Sequence, residues 1–63
     1  MKTAKFRKST VSDSYLLVEI TGDSKVETTS FSLRLGAYID ESSLDSLVEE
    51  LDCQEWKIKV VAN

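Results

Sequence analysis

The segment from residue 40 to residue 55 contains seven of the eleven acidic residues of this chain and no lysine or arginine. In a helix of about 3.6 residues per turn, four of these carboxylates share one side, namely Glu41, Asp45, Glu49 and Asp52. Such a row without nearby cations is suited to binding a basic surface of another protein. The sequence predicts a partner-binding site on this row, with Tyr38 as its aromatic anchor.

A solvated helix face is the simpler interpretation of the same row, because charged side chains usually stay in water. The pairs Glu41 with Asp45 and Asp45 with Glu49 are like charges four residues apart, and each such pair costs about 0.2–0.5 kcal/mol. The acidic end of the helix also opposes the helix dipole. This repulsion supports a binding role, although the solvated face remains the preferred interpretation of the row taken by itself.

A second group of side chains is basic and follows the predicted strands. One aromatic and five basic residues fall on the strand face that a single helix leaves uncovered, namely Lys5, Arg7, Tyr15, Arg34, Lys57 and Lys59. Lysine and arginine can follow a phosphate backbone, and an aromatic ring can stack on a base. Nucleic-acid binding is therefore the alternative function, although eleven acidic against eight basic residues give a net charge of −3.

The elements that would position these residues follow from the spacing of apolar side chains. Alternation predicts strands at about residues 4–8, 15–21, 28–35 and 56–62. The expected inward side chains of the second and third strands are Leu16, Val18, Ile20, Phe31, Leu33 and Leu35, which leaves Leu17 outward. The fold class is therefore α+β, in the order β-β-β-α-β, with one helix on one face of a three- or four-stranded antiparallel sheet. In the three-stranded form, residues 2–8 are a flexible basic arm.

The predicted helix has a clear start and an open end. Asp40 is expected to act as the N-cap, and Ile39 with Leu44 fits a hydrophobic staple. Leu44, Leu47, Val48 and Leu51 then form an apolar arc of about 100°. No glycine caps the other end.

Composition limits the classes of function. The 63 residues predict one domain, residues 1–63, with a marginal core. One cysteine and no histidine exclude an internal disulfide and the usual zinc sites, so we expect no metal and no cofactor. Association as a homodimer is then the expected source of further stability. The lone thiol and the absence of an apolar signal or membrane-spanning run predict a cytoplasmic protein that contacts no membrane.

Catalysis is not expected. General acid and base chemistry near neutral pH usually relies on histidine or on a carboxylate with a shifted pKa in a pocket. A small sheet with one helix leaves little room for such a pocket, and no loop has the spacing of a hard-cation site.

The layout from Tyr15 to Val61 resembles that of small phage-encoded inhibitors of host nucleic-acid enzymes, in particular the acidic inhibitors of uracil-DNA glycosylase. The shared features are Asp13-Ser14-Tyr15 at the start of a strand, a polar turn at Gly22-Asp23, one acidic helix and a short last strand. The resemblance implies that such a chain can block an enzyme that handles nucleic acid. We therefore expect a non-enzymatic interaction module whose main role is to inhibit another protein through the acidic helix. A structural homo-oligomer, in which basic sheet meets acidic helix, is a further alternative.

Overall fold

A computed structural model describes residues 1–62 of the chain; Asn63, the last residue of the predicted domain, lies outside the described residues. The elements are β1 (Thr3–Lys8), β2 (Ser14–Thr21), β3 (Val26–Glu27), β4 (Ser32–Leu33), β5 (Tyr38–Asp40), α1 (Glu41–Cys53) and β6 (Lys57–Val61). Within residues 1–62, no helix is long and apolar enough to cross a membrane.

The main sheet has four strands in the order β5-β2-β1-β6, and α1 packs on one of its faces. This confirms the predicted α+β class with one helix on one sheet face. β2 runs antiparallel to both β5 and β1, but β6 pairs parallel with β1, so the sheet is mixed where a wholly antiparallel one was predicted. The reason is the crossover through α1, which returns the chain to the opposite edge in the direction of β5. β1 is a paired strand, so the flexible-arm alternative is wrong.

The core lies between α1 and the sheet. Leu47 and Leu51 of the helix are fully buried, and so are Phe6 of β1 and Leu17 of β2. Ile39 and Leu44, the two residues of the predicted staple, are both buried in this core. No polar or charged residue is buried among the described residues.

A register shift in β2 reverses the predicted faces of its first half. Lys5 pairs with Glu19, but the next residue, Phe6, pairs with Leu17, so Val18 is an extra residue at a β-bulge. The shift turns Leu17 into the core, where it is fully buried, and Leu16 to the other face. The predictions of Leu16 as inward and Leu17 as outward are therefore wrong, because strict alternation fails across a bulge.

The predicted third strand at residues 28–35 is replaced by a short hairpin of β3 and β4 outside the main sheet. The Thr28 amide donates to the Phe31 carbonyl oxygen at 2.8 Å, and the Phe31 amide donates to Thr28 Oγ1 at 3.0 Å. These local hydrogen bonds form a turn in competition with an extended strand. Phe31 and Leu33 still pack against the core, whereas Leu35 is 62% exposed.

At both ends of α1, free backbone groups of the helix are capped by hydrogen bonds to other backbone atoms. Asp40 occupies the N-cap position, but its side chain makes no capping hydrogen bond; the free Glu41 amide donates to the Asp13 carbonyl oxygen at 2.9 Å. At the other end, the Trp56 amide donates to Leu51 O at 3.0 Å, while Glu55 has a left-handed φ of 63°. With the bond from the Glu55 amide to Asp52 O, at 3.1 Å, this is a Schellman motif built on glutamate.

Replacing Glu55 by glycine is expected to stabilise the domain. A non-glycine residue in the left-handed region carries a steric cost, which glycine removes. Because glycine also makes the unfolded chain more flexible, we expect the free energy of unfolding to rise by only about 0.5–1 kcal/mol. Thermal unfolding should shift upward by roughly 4 °C. Gln54→Gly is the matched control, because Gln54 has a φ of −97°, which any residue can adopt. This variant should lower the unfolding temperature; equal shifts of the unfolding temperature in both variants would contradict the explanation.

Candidate functional site

The face of the main sheet opposite α1 is uncovered and carries both apolar and basic side chains. Pairings across the four strands place Tyr38, Leu16, Arg7 and Val61 in one row. Because Phe6 and Leu17 point into the core, this neighbouring row points outward. Tyr38 is 62% exposed, while Leu16 and Val61 are half-buried. We call this surface the open sheet face.

The parallel pairing of β1 with β6 concentrates positive charge on the open sheet face. Lys5 pairs with Lys59, and Lys57 pairs with Thr3, in the same register that places Arg7 beside Val61. Like charges directly opposite each other on one face are destabilising. Four cations therefore share two adjacent strands; two carboxylates, Glu19 beside Lys5 and Asp40 at the β5 edge, share the face with them.

None of these four cations forms a salt bridge within residues 1–62, whereas three lysines elsewhere do. Lys2 lies 3.2 Å from Asp23, and Lys25 lies 3.3 Å from Glu27. Lys8 lies 3.7 Å from both Asp13 and Glu41. The four cations of the open sheet face are thus available for an outside anion, as is the exposed Arg34 outside this face.

Shallow, solvent-open depressions mark the same surface. One of about 370 Å³ lies among Lys5, Glu19, Lys57 and Lys59. A second, of about 220 Å³, lies among Arg7, Val11, Leu16 and Tyr38. Basic side chains line both depressions, and Val11, Leu16 and Tyr38 add apolar and aromatic contacts to the second, so an elongated ligand could meet both kinds of contact.

The structure places four of the six predicted nucleic-acid-binding residues on this face and moves two off it. Tyr15 pairs with Ile39 and packs against the core on the helix side, with Lys8 Nζ 5.1 Å from its ring centre. Its predicted outward position is wrong because of the β-bulge. Arg34 lies in the connection between β4 and β5, outside the predicted long strand. Tyr38 is the aromatic residue of the open face, and sequence analysis missed this because β5 has only three residues.

The acidic row of α1 lies on the other side of the molecule. Asp45, Glu49 and Asp52 are exposed and have no salt bridge within the described chain, whereas Glu41 is paired with Lys8 at 3.7 Å. Tyr38 belongs to the open sheet face, so the structure does not bring it together with the acidic row that it was predicted to anchor. The helix packs on the sheet face opposite Tyr38, so the sheet lies between Tyr38 and the acidic row.

Glu50 joins α1 to the β3–β4 hairpin. The Ser30 amide donates to Glu50 Oε1 at 3.2 Å. The hydrogen bond from the Thr28 side chain is the main cause that lowers the pKa of Glu50 below its ordinary 4.5, and Ser30 adds to it while desolvation opposes it. Glu50 is thus a tether and does not belong to the exposed acidic row.

The Glu50 tether is expected to weaken in acid. A lowered pKa means that the folded state favours the carboxylate, so its contribution is fully present above the ordinary 4.5 and is lost as pH falls through the lowered value. Urea unfolding of wild type and Glu50→Gln at about pH 7 and about pH 3 measures this. At the higher pH the wild type should be more stable than Glu50→Gln, and this difference in the free energy of unfolding should become smaller at the lower pH. A difference that is the same at both pH values would contradict the tether.

No group of three or more His, Cys, Asp or Glu side chains that could hold a metal ion occurs in residues 1–62. No protein-family model, no curated protein and no solved structure matches this chain. The resemblance to small phage inhibitors therefore stays a prediction, and the candidate function rests on the two charged surfaces described above.

Proposed function

We propose that this domain is a non-enzymatic interaction module that binds an anionic partner on its open sheet face. The observation that carries the proposal is the pairing of Lys5 with Lys59 on that face. Together with Arg7 and Lys57 they form a cluster that no described carboxylate neutralises through a salt bridge.

Electrostatic repulsion within the cluster supports this proposal. Like charges directly opposite each other on neighbouring strands are disfavoured, and a bound anion relieves that repulsion while gaining its own attraction. Four cations against two carboxylates leave the face positive, although the whole chain carries −3. The contact is therefore local and depends on this face, because the net charge of the chain opposes general attraction to polyanions.

Retention on immobilised heparin at low salt tests the proposal. The wild type is compared with a variant in which Lys5, Arg7, Lys57 and Lys59 are all glutamine. The control variant carries glutamine at the four remaining cationic positions, Lys2, Lys8, Lys25 and Arg34, so both variants lose four of the eight positive charges. Loss of retention in the first variant alone supports the open sheet face; equal loss in both, or no wild-type retention, overturns it.

The acidic row supplies a second candidate, in which α1 docks on a basic surface of a larger nucleic-acid-handling protein and inhibits it. Asp45, Glu49 and Asp52 support it because they are exposed and lack salt bridges within residues 1–62. Affinity capture from bacterial lysate compares the wild type with the triple variant Asp45→Asn, Glu49→Gln, Asp52→Asn. A protein captured by the wild type only, and released at high salt, supports this role; equal capture argues for a solvated helix face.

Self-association is a competing explanation for both surfaces. A basic sheet that meets the acidic helix of another copy forms a head-to-tail contact, which produces rings or filaments. The predicted homodimer requires a self-complementary contact instead. Light scattering over a range of protein concentrations distinguishes the two, and a monomer at every concentration leaves both surfaces for other partners.

A further inference from the structure

We infer that the anionic partner of the open sheet face is a single-stranded nucleic acid, whose phosphates follow the cations and whose bases stack on Tyr38. This inference rests on the proposed function and adds the identity of the partner. It is carried by the position of an exposed aromatic ring in the same cross-strand row as Arg7.

The cations are spaced to follow a chain of phosphates. Neighbouring strands are about 4.8 Å apart, and alternate residues on one strand are about 6.7 Å apart. Lys5 and Arg7 lie two residues apart on β1, and Lys57 and Lys59 lie two residues apart on β6. The longer spacing is similar to that between successive phosphates of an extended strand, so adjacent nucleotides can each meet a cation of the same β-strand.

The aromatic part of the surface lies across the sheet from β6. Tyr38 is 62% exposed and is paired with Leu16, which is paired in turn with Arg7. An exposed ring beside an apolar side chain on a flat surface can hold a base, because every base has a face that stacks on aromatics. The arginine guanidinium between ring and lysines can contact either base or phosphate.

The combination favours single strands over other anions. In a duplex the bases are stacked on each other and lie within the helix, so the flat face would meet only the backbone and Tyr38 would contribute little. An acidic protein segment would use the lysines and arginine without requiring a planar ring.

Fluorescence anisotropy with a labelled oligothymidylate tests the inference on the full chain. The variant Tyr38→Leu removes the ring and keeps an apolar side chain, and Tyr38→Phe keeps the ring. We expect Tyr38→Leu to weaken oligothymidylate binding about 10-fold, within the usual contribution of one stacked base. Tyr38→Phe should bind as the wild type does, and retention on heparin should be unchanged in both variants.

The other outcomes separate this inference from the proposed function. Oligothymidylate binding that is equal in wild type and Tyr38→Leu overturns the base-stacking inference, and heparin retention by the wild type would still support the proposed function. Tighter binding of a duplex of the same length, or of a poly-glutamate peptide, also overturns the inference. If the wild type binds none of these anions, both proposals fail. Urea unfolding of each Tyr38 variant confirms that a lost affinity is not a lost fold.

Discussion

Replacing Phe6 by alanine is expected to unfold the domain. Phe6 is 0% exposed and lies at the centre of β1, between the helix and the sheet. Removing a buried phenylalanine side chain costs about 3–5 kcal/mol. Small domains lie near the lower end of the usual range of about 5–15 kcal/mol, so the loss removes most of the stability. Far-UV circular dichroism and urea unfolding measure it.

Leu35→Ala is the matched control for this prediction. It also deletes a large apolar side chain, but Leu35 is 62% exposed, so we expect a change within about 0.5 kcal/mol. A Phe6→Ala variant that unfolds cooperatively at the wild-type urea midpoint would show that the core described here does not hold the fold together. A Leu35→Ala variant that unfolds equally early would show instead that Leu35 is covered by another copy in solution.

The helix was predictable because its signals are local. The apolar spacing of Leu44, Leu47 and Leu51 and the buried staple between Ile39 and Leu44 are properties of one segment of about three turns. Its end was not predictable from a glycine rule, because Glu55 takes the left-handed conformation that glycine usually supplies. Hydrogen bonds to Leu51 and Asp52 hold it there.

The strand faces were predictable only where pairing is regular. β1 and β6 alternate without interruption, so Lys5, Arg7, Lys57 and Lys59 lie on the open sheet face as the sequence predicts. β2 carries the bulge at Val18, and a shift of one residue exchanges the two faces.

The aromatic residue of the site depends on long-range pairing and could not be identified from one strand at a time. β5 has three residues, too few for alternation to be recognised, and Tyr38 reaches the open sheet face only because β5 pairs with β2. Sequence reasoning therefore placed four cations on the open sheet face correctly but placed Tyr15 there in the position of Tyr38, since Tyr15 alternates clearly within a long strand.

Binding of a single strand to the open sheet face is expected to weaken about 50-fold when salt rises from about 50 to about 200 mM. The estimate follows from a slope of about −0.7 per phosphate contact in single strands, applied to about four contacts. Lysine and arginine displace condensed counterions from the phosphates, so each contact adds to the slope. Anisotropy titrations of oligothymidylate at four or more salt concentrations within this range measure the slope directly.

Single substitutions then assign the slope to particular residues. Lys59→Gln should reduce it by about 0.7, because one phosphate contact is lost. Lys25→Gln also removes one positive charge, but Lys25 lies outside the open sheet face and pairs with Glu27 at a distance of 3.3 Å. This variant should leave the slope unchanged. A wild-type slope near zero would contradict phosphate contact altogether, even if an oligonucleotide bound. Tyr38→Leu should lower the affinity at every salt concentration without changing the slope, because stacking releases no counterions. This result would show that the cations and the ring of Tyr38 contribute separately to binding on the open sheet face.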